Sequence, residues 1–470
     1  MSKENYDVIV VGAGTAGTYM SWLLAKKGYS VITIEKDERE IVGKRLDIIH
    51  FETDRIKKAG IPPFKVGEPD CVEIRDASIV GTPDFTTEIK VRALQTIVRL
   101  TPFLHRMYKE LEKEGVHLEF SSTFNELIFE NKKIIGIKAT KGTENVEYHA
   151  RVVIDATGKE AALRTSLPDD YGVETFKLGP YDVMYVLLQY IKWKYPEQEH
   201  PIPDTGYNWW LLWFGPSYDK NQAILGVGSP GSYENARLMR EDYLNRANLP
   251  PYEIVKEEQG MTPYRRTPYS FVSDGFIASG DAGALTYPFS GHGVTATWML
   301  CMIVADVLND VLKKEGYITR ADLWEINVRY FKDQGAKFAS LYMQLSGALN
   351  FKEKEWNYFL KKGFLYQTGE DEQEIPEPNK EYEEEEMSIG ELLKFLGKLI
   401  WGILKGKFTI GHVFRLISVN GLAGKIKKHY ENFPENPEDF DEWVKKSEVL
   451  WEKKKVAVKH LSNNVSIEFH

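Results

Sequence analysis

The stretch Tyr6-Asp-Val-Ile-Val-Val-Gly-Ala-Gly-Thr-Ala-Gly17 constrains this chain more than any other. An apolar run meets three glycines, Gly12, Gly14 and Gly17, and a helix-like segment follows from Thr18 to Lys27. Gly28 closes that segment, and Val31-Ile-Thr-Ile34 reads as a second strand ending at Glu35. Strand, tight turn, helix, strand and acid in this order predict a dinucleotide-binding βαβ unit. Gly12 makes the turn, Gly14 lets the backbone approach a pyrophosphate, and Gly17 lets the helix pack close to the sheet. Thr15 and Ala16 stand at the helix N-terminus, where free N–H groups and the positive dipole end favour phosphate. Glu35 falls 18 residues after Gly17, where a carboxylate accepts hydrogen bonds from a ribose, and Lys36 beside it joins the same expected set.

Two further turns read as ligand-facing. Arg151-Val-Val-Ile-Asp-Ala-Thr-Gly158 is a buried strand ending in Asp155 and Gly158, at the carboxyl edge where α/β sheets meet their ligands. Gly275-Phe-Ile-Ala-Ser-Gly-Asp-Ala-Gly283 is again a strand ending in a turn, at Gly280 and Asp281. Gly291, His292, Gly293 and Val294 then lead into a long helix through Leu312, whose first N–H groups face whatever lies before them.

Between these turns the chain predicts more structure. Residues 60–90 are rich in Pro and Gly and then alternate as short strands over 72–75 and 77–80. A helix is expected over 97–114, with Arg99 at or near its start, and a hairpin over 126–138 around Asn131-Lys-Lys. From Tyr181 to about Gly260 the pattern changes to long alternating strands that read as one inserted substrate sheet. The expected organisation is a first dinucleotide-binding segment over 1–165 with a strand-rich insertion near 60–95, and a substrate sheet domain over 166–260. A return to the first domain follows over 261–350, then a helical region over 351–470 containing an acidic linker at 370–386. The fold class is α/β: a Rossmann-type domain with an antiparallel-sheet insertion and a helical C-terminal region.

A net charge of −9 argues against nucleic acid as a partner. Two cysteines, Cys71 and Cys301, make neither a disulfide framework nor an iron–sulfur set; both are expected as buried thiols in a reducing interior, and no metal site is expected. Met1-Ser-Lys-Glu-Asn5 runs straight into the first strand without a secretory signal, so a cytoplasmic location is expected. No uncharged apolar run reaches the length of about 18 residues that spans a bilayer. The segment 389–417 is basic and amphipathic, and fits either peripheral contact with a membrane or a helical cap over the substrate site. The 25 Tyr, 23 Phe and 11 Trp fit either a large apolar ligand site or an aromatic-rich core.

The three turns together resemble those of FAD-dependent oxidoreductases with the p-hydroxybenzoate hydroxylase type of fold. That resemblance implies FAD as the cofactor, with Arg99 reaching it from the helix start. It also implies Asp281 at a ribityl hydroxyl or phosphate, and the backbone of Gly291, His292, Gly293 and Val294 before the flavin ring. Within that group the chain resembles the geranylgeranyl reductase family over most of its length. The resemblance is carried by Gly206-Tyr-Asn-Trp-Trp-Leu-Leu-Trp-Phe-Gly-Pro216, Gly226-Val-Gly228, Thr262-Pro-Tyr-Arg-Arg-Thr-Pro268, Leu323-Trp-Glu-Ile-Asn327, Gly335-Ala-Lys337 and Tyr430-Glu-Asn-Phe-Pro434. It implies a reductase that uses FAD to saturate double bonds of geranylgeranyl chains, among them the ether-linked chains of archaeal lipids. Two features depart from the family. Its aromatic motif is a tighter Tyr-x-Trp-x-Phe-Pro, and its frequent Cys-Gly pair after the second strand is replaced here by Lys44-Arg-Leu-Asp-Ile48.

An isoprenoid substrate needs a long apolar tunnel, and Tyr207, Trp209, Trp210, Trp213 and Phe214 can line one, although alternation along a strand turns only some of them inward. Saturating an alkene also needs a proton donor; His292, Tyr207 or a held water are the choices. Electrons would come from an external donor, NADPH or a ferredoxin-like carrier. Two rivals remain at this level: a monooxygenase or halogenase on the same fold, and a non-enzymatic prenyl-lipid binding protein.

Overall fold

The computed structural model describes residues 3–195, 205–207, 210–288, 291–348, 352–363 and 389–459. Its centre is an eight-stranded sheet in which Lys3–Val11 lies between Val31–Ile34 and Glu144–Asp155, parallel to both. His117–Glu119 extends one side and Phe276–Ala278 the other, again in parallel, while the hairpin of Ser122–Glu130 and Lys133–Lys141 joins Glu144–Asp155 antiparallel. Val8, Ile9 and Val10 are fully buried, as a strand covered on both faces requires. Helices Thr15–Lys26 and Val294–Val311 pack together on one face. Val294–Val311 is long and apolar enough to cross a membrane by composition, but 67% of it is buried, and it is the central core helix.

A five-stranded antiparallel sheet is the insertion expected after Tyr181. Its order is Thr205–Tyr207, Trp210–Pro216, Gln222–Pro230, Val183–Trp193 and Tyr252–Pro263. Helix Tyr233–Ala247, which the strand pattern did not announce, covers its outer face through Tyr243.

A third sheet of Ile48–Glu52, Glu88–Arg99 and Cys71–Gly81 stands between the other two. Here the structure corrects two expectations. The short strands near 72–80 are one strand, Cys71–Gly81, broken by irregularities in register. The helix expected from Ile97 begins at Leu100. Ile97, Val98 and Arg99 instead pair with His50, Ile49 and Ile48, and the first two are fully buried, so the ladder claims them.

The C-terminal helix Phe440–Lys459 is docked by rings: Phe433 stacks on Phe331 at 4.7 Å, and Trp443 meets Phe433 at 4.7 Å. The acidic linker 370–386 lies outside the described residues. Cys71 and Cys301 are buried free thiols.

Candidate functional site

The first turn is built by contacts only glycine permits. Gly12 has φ +108°, and a Cβ there would lie 2.2 Å from the Ala156 carbonyl oxygen. A Cβ at Gly17 would lie 1.9 Å from the Gly12 carbonyl oxygen, so this residue sets the distance between helix and strand. Around Gly14 the space is open, with nothing within 4 Å of where a Cβ would stand. Glu35 steadies the turn, accepting from Ala13 N at 2.8 Å and from Asp37 N at 3.0 Å. Thr15 is half-buried beside the opening, and Lys36 is exposed at the end of the second strand.

The second turn differs from the expectation. Asp155 is fully buried, and its carboxylate accepts from Thr157 N, Thr157 Oγ1 and Arg164 N at 3.0, 2.6 and 2.8 Å. Burial pushes its carboxyl upward, against these hydrogen bonds. The side chain therefore shapes the turn, and what the turn presents to a ligand is backbone, ending at Gly158 with φ +72°.

The third turn, Gly280–Gly283, lies against the first: a Cβ at Gly280 would stand 2.8 Å from the Ala16 Cβ. Burial pushes the Asp281 carboxyl up to about 6, against the pull of Lys159. Asp281 Oδ1 lies 3.5 Å from where a Cβ of Gly293 would be, so its carboxylate sits under the start of helix Val294–Val311. Arg164 locks this turn from behind, donating from Nε to the Ala282 carbonyl at 2.7 Å.

Neither Thr15–Lys26 nor Val294–Val311 is capped by a side chain; the N-cap residues are Gly14 and Gly293. Their N-termini are neighbours, since Trp298 Nε1 reaches the Thr15 carbonyl at 3.4 Å. Two uncapped helix ends, open space over Gly14 and backbone-lined turns are what a dinucleotide with a pyrophosphate would satisfy. Arg99 caps the helix Leu100–Lys113. Its guanidinium lies 5.0 Å over the Tyr218 ring and 3.5 Å from Asp47, and its Nε is buried with no partner among the described residues. That orphan donor fits the cofactor contact expected of Arg99. The Arg99 cluster also clasps the two domains. Tyr218 donates to Asp47 at 2.6 Å, Lys256 reaches Tyr218 at 2.5 Å and Glu258 at 2.9 Å, and Tyr190 donates to Glu258 at 2.8 Å.

Strand Ile48–Glu52 joins this clasp to the turn Gly291–Val294. Phe51 points into the first domain, against Trp298 at 5.0 Å. Ile48, His50 and Glu52 alternate onto the other face. Ile48 packs with Leu188, Tyr190 and Ile224 of the inserted sheet, and His50 Nε2 lies 3.2 Å from where a Cβ of Gly215 would be. Glu52 ends the strand with Oε1 3.0 Å from His292 Nδ1, while Oε2 accepts from Thr295 Oγ1. Glu52 and His50 escaped sequence reasoning, because a five-residue strand carries too little pattern to show which face it offers.

The aromatic strand divides as alternation demands. Trp213 lies across Gly226, where a Cβ would stand 2.1 Å from its indole, and packs on the same side as Tyr190 and Ile224. Phe214 turns to the opposite face, under Tyr243 of the covering helix. Trp209 and the side chains of Tyr207 and Trp210 lie outside the described residues.

Residues 5–201 match the FAD binding domain family. A digeranylgeranylglycerophospholipid reductase of Sulfolobus acidocaldarius is 23% identical over 462 residues, covering 94% of this chain and 96% of that protein. A geranylgeranyl bacteriochlorophyll reductase-like protein of Thermoplasma acidophilum superposes with a TM-score of 0.67 at 19% identity, covering 77% of this chain and 91% of the other. A flavin-dependent brominase gives a TM-score of 0.59 at 18% identity, over 76% of this chain and 90% of the other, and shares the fold. The cofactor is FAD, and the chain is an FAD-dependent oxidoreductase similar to proteins named as geranylgeranyl reductases.

Proposed function

We propose that the protein saturates carbon–carbon double bonds of geranylgeranyl chains, carried by archaeal-type ether lipids or their precursors. One observation carries this reading. The inner face of the inserted sheet carries an apolar patch of Leu188, Trp213 and Ile224, and beside it Ile48–Glu52 ends in the Glu52–His292 pair at the start of helix Val294–Val311. An apolar wall holds an isoprenoid chain and excludes water, and the pair at its edge supplies polarity at one point. FAD, when bound and reduced, would supply the hydride for one alkene carbon. His292 gives the proton to the other, and Tyr207 or a water is the alternative donor. Trp213 walls the chain from the sheet, and Phe214 backs the strand from behind.

Electrons enter from NADPH or a ferredoxin-like carrier. The lipid is met at a membrane surface through residues 389–417.

The test is single-turnover. Enzyme reduced without oxygen is mixed with a digeranylgeranyl lipid. The flavin is expected to reoxidise while the lipid gains two hydrogens per double bond, and His292→Ala should slow reoxidation by about 10²–10⁴-fold, the usual size of a general-acid contribution. An unchanged lipid, with oxygen consumed and an aromatic compound hydroxylated or halogenated, would overturn the reading. A protein that binds prenyl lipid but takes up no FAD would overturn it in favour of a binder.

A further inference from the structure

The pair at the end of Ile48–Glu52 joins residues far apart in the chain. Glu52 is almost fully buried, and a carboxylate in that position is tolerated only when opposite charge and hydrogen bonds compensate for lost water. His292 Nδ1 stands 3.0 Å from Oε1, and Thr295, in the first turn of Val294–Val311, donates to Oε2. Both oxygens are thus fixed, and with them the plane of the imidazole. A carboxylate on Nδ1 decides which nitrogen points outward with a proton.

We propose that Glu52 is a positioning residue: it holds His292 as an imidazolium through Nδ1–H, so that Nε2–H is the proton delivered to the alkene. The inference rests on the reading of His292 as proton donor given above. The step balances: the hydride and its electron pair go to one alkene carbon, the Nε2 proton goes to the other, and His292 is left neutral with Nδ1–H still on Glu52. A proton from solvent restores it before the next turnover.

The neighbourhood supports this division of roles. Burial alone would raise the Glu52 carboxyl, but the charge of His292 and hydrogen bonds from His292 and Thr295 bring it down to about 2, so Glu52 stays ionised. His50, on the same strand face, is pushed well below the ordinary imidazole range by burial, by Arg75 and by His292. Of the two nearby imidazoles, His50 is neutral, while His292 stands against the Glu52 carboxylate at 3.0 Å. Glu52 and His50 of the strand stand beside His292, and Asp281 of the Gly280–Gly283 turn lies at the start of the same helix. Arg75 acts from behind His50.

The experiment compares wild type, Glu52→Gln, Glu52→Asp and His292→Ala as holoenzymes, with flavin content and melting temperature recorded for each. Lipid-driven reoxidation of the reduced enzyme is followed against pH. In Glu52→Gln the alkaline limb should move to lower pH by about one to three units, the usual effect of a neighbouring opposite charge. The rate above neutrality then falls about ten- to a thousand-fold and recovers in acid. Glu52→Asp should restore most of the wild-type profile. In protein with ring-labelled histidine, the NMR signal absent from His292→Ala should titrate at lower pH in Glu52→Gln than in wild type, a readout independent of turnover. If His292→Ala is slow while Glu52→Gln keeps both the wild-type profile and the wild-type titration, the positioning role is overturned and the donor reading stands. If His292→Ala is as fast as wild type, the donor reading fails and the positioning role with it. A Glu52→Gln protein that loses flavin and melts early passes the decision to Glu52→Asp and the titration of wild type. An acid-shifted Glu52→Asp profile, or a wild-type His292 that is neutral at neutral pH, overturns the inference.

Discussion

Gly14 and Gly17 sit three residues apart and meet opposite surroundings. The space over Gly14 is empty, whereas a Cβ on Gly17 would stand 1.9 Å from a backbone oxygen. Gly17→Ala must therefore push Thr15–Lys26 off the sheet, and overpacking of this kind destabilises by about 1–3 kcal/mol. That loss should appear in denaturant unfolding of the FAD-free protein. Gly14→Ala should leave that unfolding within about 0.5 kcal/mol of wild type, as a substitution into open space does. Its effect should fall on FAD affinity, about tenfold or more weaker by fluorescence titration, because its methyl enters the space offered to the pyrophosphate. These glycines were legible in the sequence because their contacts are local and their spacing is the signal. Glu52 and His292 were not legible as a pair. They are separated by 240 positions, and no local period links a strand end to a helix cap. Asp155 shows the converse: its place at the strand end was readable, but the inward turn of its carboxylate depends on Arg164 N, which no spacing reveals.

At the scale of elements, the hairpin around Asn131 was predicted from its turn residues, and the structure adds a strain the sequence does not display. Asn131 and Lys132 both have positive φ, 49° and 64°, the pairing a two-residue turn needs to follow the twist of its strands. Asparagine tolerates that region, but a lysine there costs about 1–2 kcal/mol. Lys132→Gly should recover part of this and raise stability by about 0.5–1 kcal/mol, after the extra entropy of an unfolded glycine is subtracted. Denaturant melts of wild type and variant at equal flavin occupancy measure it; a decrease would mean the turn is not held in that conformation. The misplaced helix start has a related cause. Ile97 continues the helical spacing of Leu100, Phe103, Leu104 and Met107, so period alone could not end the pattern at Arg99. The ladder to Ile48 and Ile49 decides the matter, and long-range pairing is what a local window omits.

At the scale of the whole molecule, the nucleotide-binding sheet and its insertion followed from the order of strands, turns and helices. The role of the helical hairpin near the C-terminus did not, because amphipathic helices look alike whether they cover protein or lipid. The structure separates the two faces of Ile389–Leu404 and the start of Ile410–Glu431. Leu399 is buried with Phe408, Tyr358 and Phe359 in a small cluster, and Phe408 is only 3% exposed. The other side leaves Ile400, Trp401, Leu404, Ile410, Phe414 and Ile417 bare, with Leu404 at 73% and Phe414 at 66%. Lys405 stands over the Trp401 ring, so a cation borders the apolar surface. Bare leucine, tryptophan and phenylalanine rimmed by lysine match the chemistry of a bilayer interface carrying anionic headgroups. Trp401→Glu with Leu404→Glu should then abolish most flotation with anionic vesicles and raise the KM for vesicle-embedded lipid. Turnover of the same lipid in detergent, flavin content and melting temperature should hold, because these side chains touch little of the protein. Added salt should weaken wild-type flotation only in part, since screening acts on the lysines and not on buried apolar area. If the double variant instead slowed turnover in detergent as much as on vesicles, the hairpin would be acting as a cap on the substrate chain, and its bare face would be one that closes over lipid within the protein.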